Sequence, residues 1–277
     1  MFSPYYAWDG RRAPEEHCAI NVALYGSPAR WAMTERGADA LARTADTFAV
    51  GPSALRWDGN GLDIDINEVC APWPRRLVGH VRLDIETLNT RAFELESVGR
   101  HFWRPIAPLA RVSVAMSQPD VKWRGHAYFD TNRGAEPLET GFKEWHWSRA
   151  RLHDRARVFY DAEKRRGGHT ALSLEFDAKG GLFERPAPDF VSLPQSAWRL
   201  PRVTRSAKSA RLIATLEDAP FYSRSQIAHD IDGEEAVSVH ESLDLDRFAK
   251  PVVKAMLPFR MPRAKGPAPK IGLGRKK

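Results

Sequence analysis

The sequence of 277 residues has few cysteines, no long apolar run and no signature of a common enzyme class. Its two cysteines, Cys18 and Cys70, are too few for a disulfide framework, and neither lies in a Cys-x-x-Cys pair of the kind that binds zinc. We therefore expect reduced thiols in a reducing compartment. No stretch of about 18 apolar residues occurs, and the first residues do not resemble a signal peptide, so we expect no membrane-spanning helix.

Familiar catalytic motifs are missing as well. The chain contains no Gly-x-Gly-x-x-Gly, no Walker loop, no Gly-x-Ser-x-Gly and no His-Glu-x-x-His. Its nine histidines are scattered and form no spacing typical of a metal site. We therefore predict neither a bound metal nor a nucleotide cofactor.

The composition is that of a globular protein with an excess of basic residues. Apolar residues make up 43% and charged residues 28%, which excludes a disordered chain, a collagen-like repeat and a multi-pass membrane protein. Lys and Arg number 42 against 35 Asp and Glu, and this balance favours an anionic surface as partner. Because no nucleic-acid-binding module is recognisable, we expect a lipid surface and no nucleic acid.

Strand patterns dominate the chain. Asp58-Gly59-Asn60 is a strong turn signal, and the alternation that follows over 62–67 predicts a two-faced strand. A second hairpin is predicted from 157–161 and 172–176, joined through a basic turn. The remaining strand candidates are 19–25, 110–116, 126–129 and 142–147. The pattern favours an all-β barrel or sandwich.

The C-terminal part has a different pattern. We predict a short helix capped by Asp246 and continuing to Met256, although Pro251 lies inside it. Residues 263–277 are basic and rich in Pro and Gly, which predicts a disordered tail.

One segment combines acidic, amide and aromatic side chains. Tyr128 and Phe129 precede Asp130 directly, and Asn132 follows, with a Gly and a Pro that suggest a tight loop at a strand end. Trp145 and Trp147 then lie two residues apart, on one face of a strand. Two interpretations are open: a turn beside core tryptophans, or a carboxylic acid in a poorly hydrated aromatic pocket.

Eight short blocks, in order, carry a family resemblance. They are FSPYYAW (2–8), HCAINVALYG (17–26), VGPSALRW (50–57), DINEV (65–69), WRPIAPLAR (103–111), GHAYFDTNRG (125–134), HESLDLDRF (240–248) and MLPFRMPR (256–263). With these blocks the chain resembles the carotenoid 1,2-hydratases, or hydroxyneurosporene synthases, of purple photosynthetic bacteria.

The resemblance implies a fold, a reaction and a location. The implied fold is all-β and lipocalin-like, with two barrel-like halves at 1–130 and 131–262. The implied reaction adds water across the terminal double bond of an acyclic carotenoid, such as neurosporene, lycopene or their hydroxylated derivatives, without a cofactor. Such an enzyme would lie on the cytoplasmic side of the photosynthetic membrane as a peripheral protein.

This chemistry needs a proton donor that is un-ionised near neutral pH. An ordinary Asp has a pKa of about 3.9, so a donor needs a pKa about three units higher, roughly 4 kcal/mol of differential interaction. We hypothesise that Asp130 is this acid and that Asn132 orients it or the water. The rings of Tyr128, Trp145 and Trp147 would stabilise the cation at about 0.5–2 kcal/mol each.

Several alternatives remain open from the sequence. The base that accepts the proton of the attacking water is either Glu68 or Glu241 in this hypothesis. Basic clusters at 149–157, 164–166 and in the tail would bind anionic lipid. The rival functions are a non-catalytic carotenoid or lipid carrier with the same fold, a nucleic-acid-binding protein suggested only by the charge, and a hydratase or dehydratase of another prenylated substrate.

Overall fold

The computed structural model describes residues 3–11 and 13–264, and strands make up most of them. The first ten strands are β1 (Asn21–Leu24), β2 (Arg30–Met33), β3 (Leu41–Arg43), β4 (Thr47–Val50), β5 (Ser53–Trp57), β6 (Gly61–Val69), β7 (Arg76–Thr87), β8 (Phe93–Glu94), β9 (His101–Gln118) and β10 (Asp120–Gly134). The others are β11 (Phe142–Arg151), β12 (Arg155–Lys164), β13 (His169–Asp177), β14 (Leu182–Glu184), β15 (Phe190–Leu193), β16 (Arg202–Arg205), β17 (Arg211–Asp218), β18 (Tyr222–Ile231) and β19 (Glu234–Asp244).

Helices are few and short. The α-helices are α1 (Pro4–Trp8), α2 (Leu138–Gly141), α3 (Leu245–Ala249) and α4 (Pro251–Met256), and 3₁₀ turns cover Pro14–His17, Ala38–Ala40 and Leu257–Phe259. None of the helices in the described residues has the length and apolar character needed to cross a bilayer.

Two large antiparallel sheets contain most of the strands. One has the order β10-β9-β7-β6-β5-β4-β3, with β8 paired to β9, and the other the order β14-β13-β12-β11-β19-β18-β17. Two hairpins, β1-β2 and β15-β16, are separate. The all-β prediction is confirmed, and within residues 3–11 and 13–264 neither large sheet closes into a barrel.

The chain forms two compact units whose segments interleave along the sequence. The first contains residues 85–110 and 126–253; the second contains the described residues of 2–84, 111–125 and 254–264. Strands β9 and β10 contribute residues to both units. Residue 130, the predicted domain boundary, lies inside β10 and within the first unit.

Both predicted hairpins are present. The carboxylate of Asp58 accepts hydrogen bonds from the backbone N–H groups of Asn60 and Gly61, each 2.9 Å long, and Gly59 has a φ of +100°. These contacts form the turn between β5 and β6. Strands β12 and β13 form the second hairpin, whose turn contains Gly167 and Gly168, both with positive φ.

Three local predictions were wrong. Asp130 does not lie in a loop, since β10 continues to Gly134 and its side chains alternate between two faces. The C-terminal helix is divided into α3 and α4, because Pro251 begins a new helix rather than continuing the old one. The cap of α3 is Asp244, which accepts from the backbone N–H of Arg247, and not Asp246.

The predicted tail begins with ordered residues. Arg263 forms a bridge and an ion pair with the buried Glu35, and the backbone N–H of Ala264 donates to the Glu35 carbonyl. The rest of the predicted tail, 265–277, lies outside the described residues.

The seven-stranded sheet has two different faces. Ala150, Phe159, Ile231 and Ala236 belong to a buried apolar cluster on one face. Because side chains alternate along a strand, the neighbours of Phe159 on β12 project from the opposite face.

Candidate active site

Asp130 lies on β10 between two aromatic hydrogen-bond donors. The indole Nε1 of Trp103, on the adjacent strand β9, donates to Asp130 Oδ2 at 2.7 Å, and Tyr128 Oη donates to the same oxygen at 3.0 Å. Trp103 is fully buried and packs on Phe93 at a ring distance of 5.6 Å. The carboxyl group is therefore fixed by two donors and surrounded by aromatic rings.

Desolvation dominates the electrostatics of this carboxyl group. Burial raises the pKa of Asp130 above its ordinary value, and the negative charge of Glu241 raises it further. The hydrogen bonds from Trp103 and Tyr128 and the charge of Arg224 lower the pKa, but the net direction is upward. A carboxyl group with a raised pKa is suited to act as a proton donor.

The seven-stranded sheet presents a row of side chains to the same site. In the register of the sheet, Trp147 pairs with Tyr160 on one side and with Glu241 on the other, and Glu241 pairs with Arg224. Directly paired residues project from the same face. The Nε of Arg224 donates to Glu241 Oε1 at 2.9 Å.

Ring contacts join this row to Asp130 and its donors. Tyr128 contacts Trp147 at 5.3 Å between ring centroids, and Trp103 contacts Tyr160 at 5.1 Å. Trp145 contacts Tyr160 at 6.0 Å. The first unit thus brings together the predicted residues Asp130, Tyr128, Trp145, Trp147 and Glu241.

Arg149 links the site to the backbone of β9 and β10. Its Nη2 donates to the carbonyl oxygens of Pro108 at 2.9 Å and Ala127 at 3.2 Å, and its guanidinium lies 5.6 Å from the Tyr128 ring centroid. Desolvation lowers the pKa of Arg149 to about 10. Arg157, from the same predicted basic cluster, is also fully buried. Arg149 and Arg157 therefore cannot contribute to the predicted lipid-binding cluster at 149–157. Its other two members, Arg151 and Arg155, are partly exposed, and lipid binding by them stays a prediction.

Two predicted residues lie apart from this arrangement. Glu68 belongs to the second unit, where its Oε2 pairs with Arg36 Nη2 at 2.7 Å and its Oε1 accepts from Ser53 Oγ at 2.7 Å. Asn132 is exposed, and within the described residues its side chain makes no hydrogen bond to Asp130. The role assigned to Asn132 from the sequence stays a prediction.

Three residues of the site were not predicted from the sequence: Trp103, Tyr160, and Arg149, which bonds the backbone beside Tyr128. Trp103 begins one of the family-like blocks, which was the available signal, but nothing in the sequence indicates that it reaches a residue 27 positions later. Tyr160 carries no signal, since it resembles any core residue of a buried strand.

Of the described residues, one group has the composition and spacing of a metal site. Ligand atoms of Glu96, His101 and Glu136 lie within 4.8 Å of one another. The guanidinium of Arg100, however, lies 2.6 Å from Glu136 Oε2, and Arg166 lies 3.8 Å from the same oxygen. These cations already neutralise the carboxylate that a metal ion would need.

A cavity of about 290 Å³ lies on the other side of β9 and β10. It is lined by Ala92, Phe102, Arg104, Thr131 and Arg133. The β9 and β10 residues of this lining alternate with Trp103 and Asp130, so they project from the opposite face. Its two arginines make it unsuitable for a hydrocarbon.

Comparison with known proteins gives a consistent picture. The model of the carotenoid hydratase CrtC family matches residues 1–269. The chain is 49% identical over 273 residues to the acyclic carotenoid 1,2-hydratase of Thiocapsa roseopersicina, covering 96% of this chain and 67% of the relative. It is 42% identical over 270 residues to the enzyme of the same name from Rhodobacter capsulatus, covering 96% of both.

The fold also has a structural relative. A crystal structure of a protein assigned as AttH, from Nitrosomonas europaea, superposes with a TM-score of 0.54 at 13% identity, covering 78% of this chain and 76% of that one. This likeness shows an AttH-like fold and nothing about activity. The extent and identity of the sequence matches decide the family: the chain belongs to the carotenoid hydratase CrtC family and is a carotenoid 1,2-hydratase, a hydro-lyase of carotenoid biosynthesis.

Proposed function

We propose that Asp130 is the general acid that protonates the terminal C1=C2 double bond of an acyclic carotenoid. The observation that carries this proposal is a desolvated carboxyl group, held by two donors on one oxygen, among five aromatic rings. The proton goes to the CH carbon, and the positive charge develops on the carbon that bears two methyl groups.

The two donors determine which oxygen carries the proton. Trp103 and Tyr128 both donate to Oδ2, which suits a carbonyl-like acceptor. The acidic proton then resides on Oδ1, the oxygen that receives neither of these bonds. The alkene carbon would approach Oδ1, while Oδ2 keeps both donors as the carboxyl group becomes a carboxylate. Hydrogen bonds to an anion are stronger than bonds to a neutral acid, so both donors favour proton transfer.

The aromatic rings stabilise the cation that follows. Tyr128, Trp145 and Trp147 present ring faces with a negative quadrupole, and each ring contributes about 0.5–2 kcal/mol to a desolvated cation. A hydrocarbon cation cannot accept hydrogen bonds, so ring faces are the stabilising groups that fit it best.

Water captures the cation, and Glu241 is the base that we propose for its proton. Glu241 faces the site in the row of Trp147 and is held in place by Arg224. The product is a tertiary alcohol. No electrons are transferred and no atoms other than those of water are added, so the reaction balances without a co-reactant.

We propose neurosporene, lycopene and their hydroxylated derivatives as substrates, on the basis of the family. Such substrates dissolve in lipid, and we propose that the enzyme works at the cytoplasmic side of the membrane. In the first unit, the exposed Arg166 in the turn between β12 and β13 supports this proposal. In the second unit, the exposed Trp73 (76% exposed) and Phe259 (73%) support it. Salt-sensitive sedimentation with anionic vesicles, but not with neutral ones, is the expected result.

Incubation of the purified protein with detergent-dispersed lycopene or neurosporene in ¹⁸O-water tests the function. The expected product gains one water that carries the heavy isotope. Asp130→Asn should lose this activity by more than about a hundredfold while keeping its fold and its carotenoid binding. Asp120→Asn, an exposed position on the same strand, is the matched control. Carotenoid that binds and returns unchanged from the unaltered enzyme would instead indicate a carrier.

A further inference from the structure

Two buried polar groups beside Asp130 have no hydrogen-bond partner among the described residues. They are the hydroxyl of Tyr160 and the indole Nε1 of Trp147. Tyr160 is 3% exposed, and burial raises its pKa, so the group is a neutral hydroxyl. At an ordinary core position, such a polar atom either has a hydrogen-bond partner or is absent because the side chain is apolar.

Burial of a polar group without a hydrogen-bond partner is unfavourable, and native proteins have few such groups. Phe would fill the position of Tyr160 with the same ring and without this penalty. Trp147 and Tyr160 are directly paired across β11 and β12, and their side chains project from one face. An unpaired polar atom on each of two paired side chains suits a site for a small polar molecule in an otherwise aromatic wall.

The residues near this site include aromatic side chains, the proposed acid and the proposed base. The rings of Trp103 and Trp145 contact Tyr160, and Glu241 is the residue paired with Trp147 on the neighbouring strand β19. Asp130, the proposed acid, is bonded to Trp103. A polar molecule held here would lie between an acid, a base and the ring faces that stabilise a cation.

We propose that Trp147 Nε1 and Tyr160 Oη hold the water molecule that is added to the carotenoid. This inference rests on the proposed role of Asp130. Trp147 donates to the water oxygen, and Tyr160 accepts one of the water protons. One lone pair of the water oxygen is left for the cation.

The step is balanced. Asp130 Oδ1–H gives its proton to the CH carbon, and the π pair of the alkene forms the new C–H bond. A lone pair of the held water forms the C–O bond with the cationic carbon. The oxonium ion loses a proton to the Glu241 carboxylate, and exchange with solvent returns one proton to Asp130. The net change is the addition of one water to one double bond.

If this site holds the water, removing one of its two side-chain partners should change the fraction of carotenoid cations that water captures. A cation that water does not capture loses a proton and returns to alkene. In D₂O this return leaves deuterium on the recovered carotenoid, because Asp130 delivers a deuteron. Tyr160→Phe should therefore lower hydration about tenfold or more, with KM unchanged, and should raise the ratio of deuterium exchange to hydration about tenfold. Trp147→Phe should shift the ratio in the same direction.

Mass spectrometry of product and recovered substrate measures both quantities in one reaction. Tyr25→Phe, in the second unit, is the matched control and should keep the ratio of the unaltered enzyme. Tyr160→Phe should leave the unfolding temperature unchanged, since the Tyr160 hydroxyl bonds no group among the described residues. If the hydroxyl had only a structural role, its loss would lower that temperature and leave the ratio unchanged.

The outcomes separate the water site from the acid. Tyr160→Phe with an unaltered ratio, or with exchange and hydration reduced equally, overturns the water site while the role of Asp130 stands. Asp130→Asn should abolish exchange and hydration together. If Asp130→Asn retains both, the proposed acid is wrong, and the water site fails with it.

Discussion

The indole nitrogen of Trp103 donates a 2.7 Å hydrogen bond to Asp130 Oδ2, from the neighbouring strand. This bond lowers the pKa of the carboxyl group, against the larger effect of burial. It also fixes Oδ2 as an acceptor, which leaves Oδ1 to hold the acidic proton. This contact thus affects both the pKa of the proposed acid and which of its two oxygens carries the proton.

The pH dependence of hydration should follow this carboxyl group. Its raised pKa means that the active, protonated form is lost as pH rises through the pKa of the folded enzyme. We expect kcat to fall tenfold per pH unit on the alkaline side. Steady-state rates with lycopene across pH, with circular dichroism at each pH, check this expectation. A rate that still increases with pH on the alkaline side would contradict it.

Trp103→Phe should reduce kcat and move the alkaline limb to higher pH. The variant keeps an aromatic ring in a fully buried position but loses the donor, so the pKa of Asp130 rises and the acid becomes weaker. We expect a loss of about tenfold or more in kcat, with KM little changed. Trp123→Phe, at an exposed tryptophan of β10, is the control. An unchanged pH profile in Trp103→Phe would mean that this bond does not tune the acid.

The two candidate bases should respond differently to substitution. Glu241→Gln should lower kcat, because the proton acceptor is lost in the site. Glu68→Gln should lower the free energy of unfolding by about 3 kcal/mol, because it breaks the buried pair with Arg36, and should preserve kcat per folded molecule. Urea unfolding and single-turnover rates distinguish the two effects. Loss of kcat in a fully folded Glu68→Gln protein would restore Glu68 as a candidate base.

The stability of the fold should decline as pH falls below about 6.5. Desolvation lowers the pKa of His146 to about 4 and that of His240 to about 3, and the two rings stack at 6.3 Å. Below pH 6.5 the unfolded chain binds protons that the folded chain does not, so unfolding becomes more favourable until pH reaches about 3, the lower of the two pKa values in the folded chain. His146 alone accounts for a loss on the order of 3 kcal/mol.

Urea unfolding between pH 7 and 4 measures this loss. Replacing His240 by Asn should flatten the dependence, whereas replacing the exposed His153 by Gln should leave it unchanged. Stability that is constant from pH 7 to 5 in the unaltered protein would show that the buried histidines do not control acid sensitivity.

Gly134→Ala should be destabilising because the backbone of Gly134 lies against His101. A Cβ at this position would lie 2.6 Å from His101 Nδ1, and the His101 ring packs on Phe142 at 5.0 Å between ring centroids. We expect a loss of about 1–3 kcal/mol. Gly125→Ala is the control on the same strand, since its Cβ would meet only the exposed Trp123 ring, at 3.2 Å. Equal unfolding temperatures for the two variants would contradict the close approach.

Local features of the fold and of the site could be predicted from the sequence. The Asp58 turn, the β12–β13 hairpin and the aromatic setting of Asp130 all depend on neighbouring residues, and each has a recognisable pattern. The two-residue spacing of Trp145 and Trp147 correctly placed both rings on one face.

The rest depends on register between distant strands. Tyr160 and Glu241 flank Trp147 only because β12 and β19 pair with β11 at particular residues, and no local pattern encodes that alignment. The burial of Arg149 could not be predicted from the sequence for a related reason. Its partners are backbone carbonyl oxygens, which every residue has, so no sequence pattern distinguishes Arg149 from a surface arginine.

The contact between Arg263 and Glu35 has a consequence for synthesis of the chain on the ribosome. Glu35 is 1% exposed in the folded protein, and the cation that pairs with it is added 228 residues later. At about 5–20 residues per second, translation takes roughly 10–45 s to reach that partner. The second unit therefore cannot be completed before residue 263 has been synthesised, and the residues around Glu35 must remain soluble, or be held by a chaperone, until then.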